Sequence, residues 1–187
     1  SVEGNQRDGV EFNGAIAQIE TSQILNNEEN GLSLSSNTSV QLTDTSVFNN
    51  SEVGISVVSS VLQGVGGQIS QNGDDGIEAS NSSITLSGTF VSNNSSHGIS
   101  LSNSSAELRD GAQVSGNALS GIRATDRSSL FVSTSTIDEN EQDGVSLSDS
   151  FAFMENNTVT LNSQVGISAD DVSLVTGCGN VLSNNGT

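Results

Sequence analysis

The 187 residues suffice for one domain or one unbroken repeat array, and the apolar residues, 32% of the chain, are spread too evenly for a disordered tail. Twenty glycines, no proline, no tryptophan, no tyrosine and an abundance of Ser, Asn, Thr and Val exclude a helical protein and predict an almost wholly β one. Twenty-two acids against four arginines, a formal net charge of −18, exclude nucleic acid and anionic membrane as partners, and no apolar run is long enough for a membrane-inserted helix.

The predicted elements recur in a fixed order from residue 2 onward. First comes a Val or Ile anchor: Val2, Ile24, Val47, Ile69, Val91, Val114, Ile137, Val159 and Val181. Three residues later stands an asparagine: Asn5, Asn27, Asn50, Asn72, Asn94, Asn117, Asn140, Asn162 and Asn184. Four residues after that comes a glycine followed by an aliphatic residue, from Gly9-Val10 and Gly31-Leu32 to Gly144-Val145 and Gly166-Ile167, in steps of 22 or 23 residues. A first strand follows the glycine, with alternating apolar pairs running from Val10/Phe12 to Ile167/Ala169. A second carries Ala17/Ile19 through Ala152/Met154 to Leu174/Thr176, and the anchor is the third. Every extra residue falls between a glycine and the next anchor, so the corner from anchor to glycine is the most tightly specified.

This pattern predicts an all-β coil of about eight rungs, three short strands each, in which every strand pairs in parallel with its equivalent about 4.8 Å along the axis. Equivalent residues then form columns. The aliphatic columns fill the interior, and the asparagines stack their amides into a ladder while tolerating a left-handed corner. Propeller blades need a longer period and leucine-rich repeats need a helix, so neither fits.

The stretch "NNEENGLSLSSNTSVQLTDTSVFNN" resembles the right-handed parallel β-helix repeats of the pectin-lyase-like superfamily, and the likeness extends over residues 1–187 as one array. The resemblance implies a right-handed solenoid of a kind that serves lyases, hydrolases, epimerases, adhesins and phage spikes. Within it, "GDDGI" and "SHGIS" are similar in order and spacing to the Asp-Asp pair and Gly-His-Gly of polygalacturonases. That likeness makes Asp74, Asp75 and His97 catalytic candidates, with Arg123 in "GIRAT" as the remnant of a substrate clamp. The chain departs from the family in having "SEVG" where an Asn-Thr-Asp is found, and in having no lysine. By rung spacing alone, Asp74 or Asp75 with Glu52 or Glu78 also meets the separation of two carboxylates that inverting hydrolysis requires.

Other columns carry further expectations. Glu28, Glu29, Glu52, Asp74 and Asp75 stack on successive rungs between ladder asparagine and glycine, where like charges 5 Å apart repel by about 0.8 kcal/mol in water. They are read either as solvated charge or as ligands for a Ca²⁺ cofactor. On the outward side of strand two the column Gln18, Gln41, Gln63, Thr85, Glu107, Phe131, Phe153, Val175, with Phe151 beside it, becomes apolar in its last rungs. That stripe is expected to meet a protein partner or a covering segment. Asp126, Asp149 and Asp171 share a turn column with Asn81 and Asn103. Cys178, the sole cysteine, excludes an internal disulfide and is expected as a small packed residue. Ser1 and Thr187 fall in similar phase without a polar cap, as in a segment of a longer chain or a unit joining copies of itself.

Two functional readings follow, from different classes. One is a non-catalytic extracellular or cell-surface rod for adhesion or assembly, self-associating or partnered through the Phe stripe or the uncapped ends. The alternative is a polysaccharide-active enzyme, a glycoside hydrolase or lyase. Ice binding, a third class, would need an aligned threonine array, and Thr43, Thr45, Thr134, Thr136, Thr158 and Thr160 fall out of column.

Overall fold

Residues 1–170 and 172–186 are described by a computed structural model. Among them there is no helix, and 25 short strands form three parallel sheets. The first sheet has eight strands, from Val10–Asn13 to Ile167–Ala169; the second has eight, from Ile16–Glu20 to Leu174–Cys178; the third has nine, from Val2–Glu3 to Val181–Ser183. Each strand lies between its equivalents one rung away, as Ile77 lies opposite both Ile55 and Ile99. Alternation therefore puts the same kind of residue inward on every rung. Ile55, Ile77, Ile99 and Ile122 of the first sheet are fully buried, as are Leu62 and Leu130 of the second and Val47, Val91 and Val114 of the third. Each such side chain contributes about 1.5–3 kcal/mol by leaving water.

The corner before each glycine is built around the predicted ladder. Asn94 is representative: its Nδ2 donates to Asn117 Oδ1 at 3.0 Å and to the Ile69 carbonyl at 3.4 Å. Its Oδ1 accepts both the backbone N–H of Asn72, at 3.1 Å, and that residue's Nδ2, at 3.0 Å. Every hydrogen-bonding position of the buried amide is thus filled. The left-handed residue of this corner is one place earlier than expected, at Asn26, Asn49, Gln71, Asn93, Glu139, Leu161 and Asn184, with φ of 55–58°. Nor is the repeated glycine left-handed. It is needed for space: a Cβ on Gly54 would lie 2.6 Å from Asn72 Nδ2 and 2.6 Å from the Gly76 carbonyl oxygen.

A second ladder stands between strands one and two, hidden in the sequence by the abundance of serine. Thr38, Ser60, Ser82, Ser104, Ser128, Ser150 and Ser173 each use the side-chain oxygen to accept a backbone N–H of the preceding rung, at 3.0–3.2 Å. The shortest bond from each hydroxyl stays within its own rung, as in Ser104 Oγ to the Ser102 carbonyl at 2.8 Å and Ser128 Oγ to that of Thr125 at 2.6 Å, although Ser82 Oγ also reaches the Val57 carbonyl of the preceding rung at 2.9 Å.

The last rung corrects five expectations, among them the inward pair Leu174/Thr176, all through one extra residue between Ala169 and Leu174. Val159 pairs with Leu182, so Leu182 replaces Val181 as the anchor. Asn162 donates to Asn185, so Asn185 is the ladder residue and Asn184 its left-handed predecessor. Ala152 pairs with Val175 and Phe153 with Thr176, so Val175 turns toward the core and does not belong to the outward stripe. Leu174 faces outward instead, and so does Cys178, which is exposed, its Sγ 3.9 Å from Glu155 Oε1. Asp171 lies outside the described residues.

Candidate functional site

The outward column of the first sheet reads Glu78, Ser100, Arg123 and Ser146 on consecutive rungs, in register. Inward Ile77, Ile99 and Ile122 clamp these strands to the core, so their alternate residues stand on a rigid face. There Glu78, Ser100 and Arg123 border a groove of about 530 Å³ that continues past Ser102, Thr125 and Ser148 to Asp126 and Asp149. Its lining is hydroxyl and charge with little apolar surface.

The catalytic candidates are brought to one edge of this face, but with unequal freedom. Asp75 is buried, and its Oδ1 accepts the backbone N–H of His97 at 2.8 Å. His97 in turn uses Nδ1 to accept the N–H of Ser120 at 3.2 Å. Both therefore belong to a corner column in which a side chain caps the next rung's backbone, as Asp8 caps Asn30, Asn30 caps Val53 and Asp143 caps Val165. Asp75 is accordingly not the solvent-facing carboxylate that the motif suggests; a corner side chain can turn in as easily as out, and here a backbone donor draws it in. Asp74 remains exposed.

Glu78 was visible in the sequence only as one of several carboxylates at a workable separation. In the structure it is the one that lines the groove beside the Asp74-Asp75 pair. Burial, then the charges of Asp75 and Asp74, raise its pKa above the usual carboxylate value. His97 is held below the ordinary imidazole value, first by burial and then by the Arg123 charge, while Asp75 and Asp74 pull the other way. Across the groove, hydrogen bonds from Ser102 and Thr125 lower the pKa of Asp126. The exposed Arg123 makes no ion pair among the described residues; the pairs formed are Arg7 with Glu29 and Arg109 with Glu107 and Asp110.

The side chains of the acid column diverge from one another. Glu28 and Glu52 point into solvent, Glu29 pairs with Arg7 at 3.7 Å, and Asp75 is turned to His97. Among the described residues no three carboxylate, His or Cys side chains converge where one ion would sit.

The apolar stripe is a patch on the second sheet. Phe131, 43% exposed, meets Phe151 edge to face with ring centres 5.9 Å apart, and Phe153 pairs with Phe131 one rung on. Leu174 lies opposite Phe151 and extends the patch, while Thr176 takes the place opposite Phe153 expected for Val175.

A family model described as a right handed beta helix region matches residues 66–186, about two thirds of the chain. The chain belongs to the right-handed β-helix family. Its β-helix superposes on the A-modules of two Azotobacter vinelandii mannuronan C-5 epimerases. For AlgE4 the TM-score is 0.78 at 15% identity over 91% of this chain and 55% of the module; for AlgE6 it is 0.79 at 18% over 97% and 56%. The β-helix thus spans a little over half the length of these modules. At this identity the likeness is one of fold. No curated protein matches the sequence.

Proposed function

We propose that this β-helix is the substrate-bearing part of a polysaccharide-active enzyme, with the groove of the first sheet as its glycan site. The observation that carries the reading is the placing of Glu78 and Arg123 on opposite sides of Ser100 in a groove lined by hydroxyls. A glycan offers hydroxyls along its length, and an acidic one adds a carboxylate that an unpaired guanidinium can take in two parallel hydrogen bonds. A carboxyl that burial makes hold its proton more firmly than usual suits proton delivery to a sugar oxygen or carbon. In this reading Glu78 handles the proton, Arg123 anchors the sugar, and Asp75 and His97 fix the corner beside them. The fold shared with mannuronan C-5 epimerase modules supports the class of substrate, not the reaction.

The test uses the full-length protein with mannuronan, polygalacturonate and a neutral β-glucan. Reducing ends report hydrolysis, ultraviolet absorbance of unsaturated uronate reports elimination, and proton NMR reports epimerisation. Glu78→Gln is expected to lower turnover by about 100-fold or more, and Arg123→Ala to weaken acidic glycans much more than the neutral one. Turnover unaffected by either substitution, or no binding to any glycan, would overturn the proposal. In the latter case the rod reading stands, with the Phe131–Phe151–Phe153 patch as its contact surface.

A further inference from the structure

The corner column before the glycines contains five side chains that cap the next rung: Asp8, Asn30, Asp75, His97 and Asp143. Four of them accept through carboxylate or amide oxygens, and those oxygens keep their lone pairs throughout the neutral range. His97 accepts through Nδ1, which is an acceptor only while the ring is neutral and carries its proton on Nε2. Once Nδ1 is protonated, two N–H groups face each other across 3.2 Å. The bond cannot persist in that form.

We infer that His97 is an acid-released latch between its own rung and the next, closed at neutral pH by the Ser120 N–H to Nδ1 bond and opened when the ring takes a second proton. Ser120 is followed by Gly121 and the strand Ile122–Thr125, which carries Arg123. Asp75, which holds the His97 N–H, belongs to the rung of Glu78. The latch therefore ties the Ser100 rung to the Arg123 rung, the Glu78 rung being held to them through Asp75, and its release loosens Arg123 relative to Glu78. The charged groups that bear on the ring are Asp75 and Asp74 from the preceding rung and Arg123 from the following one. Burial and then the Arg123 charge hold the imidazole below its ordinary value, so the ring is neutral at neutral pH. The inference concerns the fold and stands whether or not the groove takes a glycan.

The sign follows from proton uptake. An imidazole held below its unfolded value of about 6.5 leaves stability complete above that pH and removes it progressively as pH falls toward the folded value. His97→Asn supplies an amide oxygen in the manner of Asn30 and has no proton to gain. Between pH 7.5 and 5.5 the parent's thermal midpoint is expected to fall by about 2–4 °C more than that of His97→Asn. Nitrogen-15 NMR of the parent's ring is expected to show an unprotonated Nδ1 at pH 7.5, and Ser120 and Gly121 amide shifts that titrate together with it. Equal pH slopes in parent and variant, or a ring protonated on Nδ1 at pH 7.5, would overturn the inference. Should the variant fail to fold, the NMR measurement on the parent decides alone.

Discussion

The two buried polar ladders do the same job at different corners, yet only one of them fixes the length of its corner. In the amide ladder each asparagine donates both forward to the next amide and back to an anchor-strand carbonyl, and accepts twice from the preceding rung, as Asn94 does. All four bonds of that side chain cross between rungs. In the hydroxyl ladder each side chain receives one bond from the preceding rung and makes its shortest donated bond within its own rung, as Ser104 does. A corner held by one crossing bond accepts an extra residue: Ser60, Ser82 and Ser104 reach back two residues for their carbonyl, whereas Thr38 and Ser128 reach back three. The longer turns place two consecutive left-handed residues, Ser36-Asn37 and Asp126-Arg127. Variable chemistry has collected at the forgiving corner, where Asp126 and Asp149 reach the groove.

The contrast breaks most sharply by removing one side chain from each ladder. Asn94→Leu orphans the Asn72 backbone N–H and takes one bond each from Asn72 Nδ2 and Asn117 Oδ1, and is expected to cost about 4 kcal/mol. Ser104→Ala orphans only the Ser82 N–H and should cost about 1.5 kcal/mol. Urea unfolding of the two variants checks this, and equal losses would remove the distinction drawn between the corners. Next in size is Gly54→Ala. Its Cβ has no room beside Asn72 Nδ2 and the Gly76 carbonyl, so a loss of about 3 kcal/mol is expected by the same measurement. The smallest effect sharpens the comparison from the stabilising side. Leu161 is half exposed at φ 58°, where a branched side chain is strained and its equivalents are mostly Asn. Leu161→Asn is expected to gain about 1 kcal/mol; a loss would mean that Leu161 packs more than its exposure indicates.

The sequence revealed most where a column has one chemical solution. The asparagine ladder, the glycine column and the inward pairs of the first seven rungs are as the repeat predicts, because substitutes are expelled by geometry or by unpaired polar groups. The register of the last rung was lost where neighbouring residues are chemically alike. Val181 and Leu182, or Asn184 and Asn185, satisfy the pattern equally until the extra residue before Leu174 is located. At the site, Asp74, Asp75, His97 and Arg123 fall on three adjacent rungs, as the repeat period requires. The sequence did not show that Asp75 and His97 are engaged by backbone donors, since the direction of a corner side chain leaves no periodic trace. The hydroxyl ladder escaped notice for the opposite reason: serine is too common in this chain for one all-hydroxyl column to stand out, although its invariable position just before strand two was the signal.

The amide ladder has a further consequence. From Asn5 to Asn162, every Nδ2 donates toward the next rung and every Oδ1 receives from the one before. The side-chain dipoles consequently point the same way along the core, each polarising the next. The rod therefore has an electrical direction as well as a shape, so a charge brought near its axis feels two unlike ends even where the surface residues match.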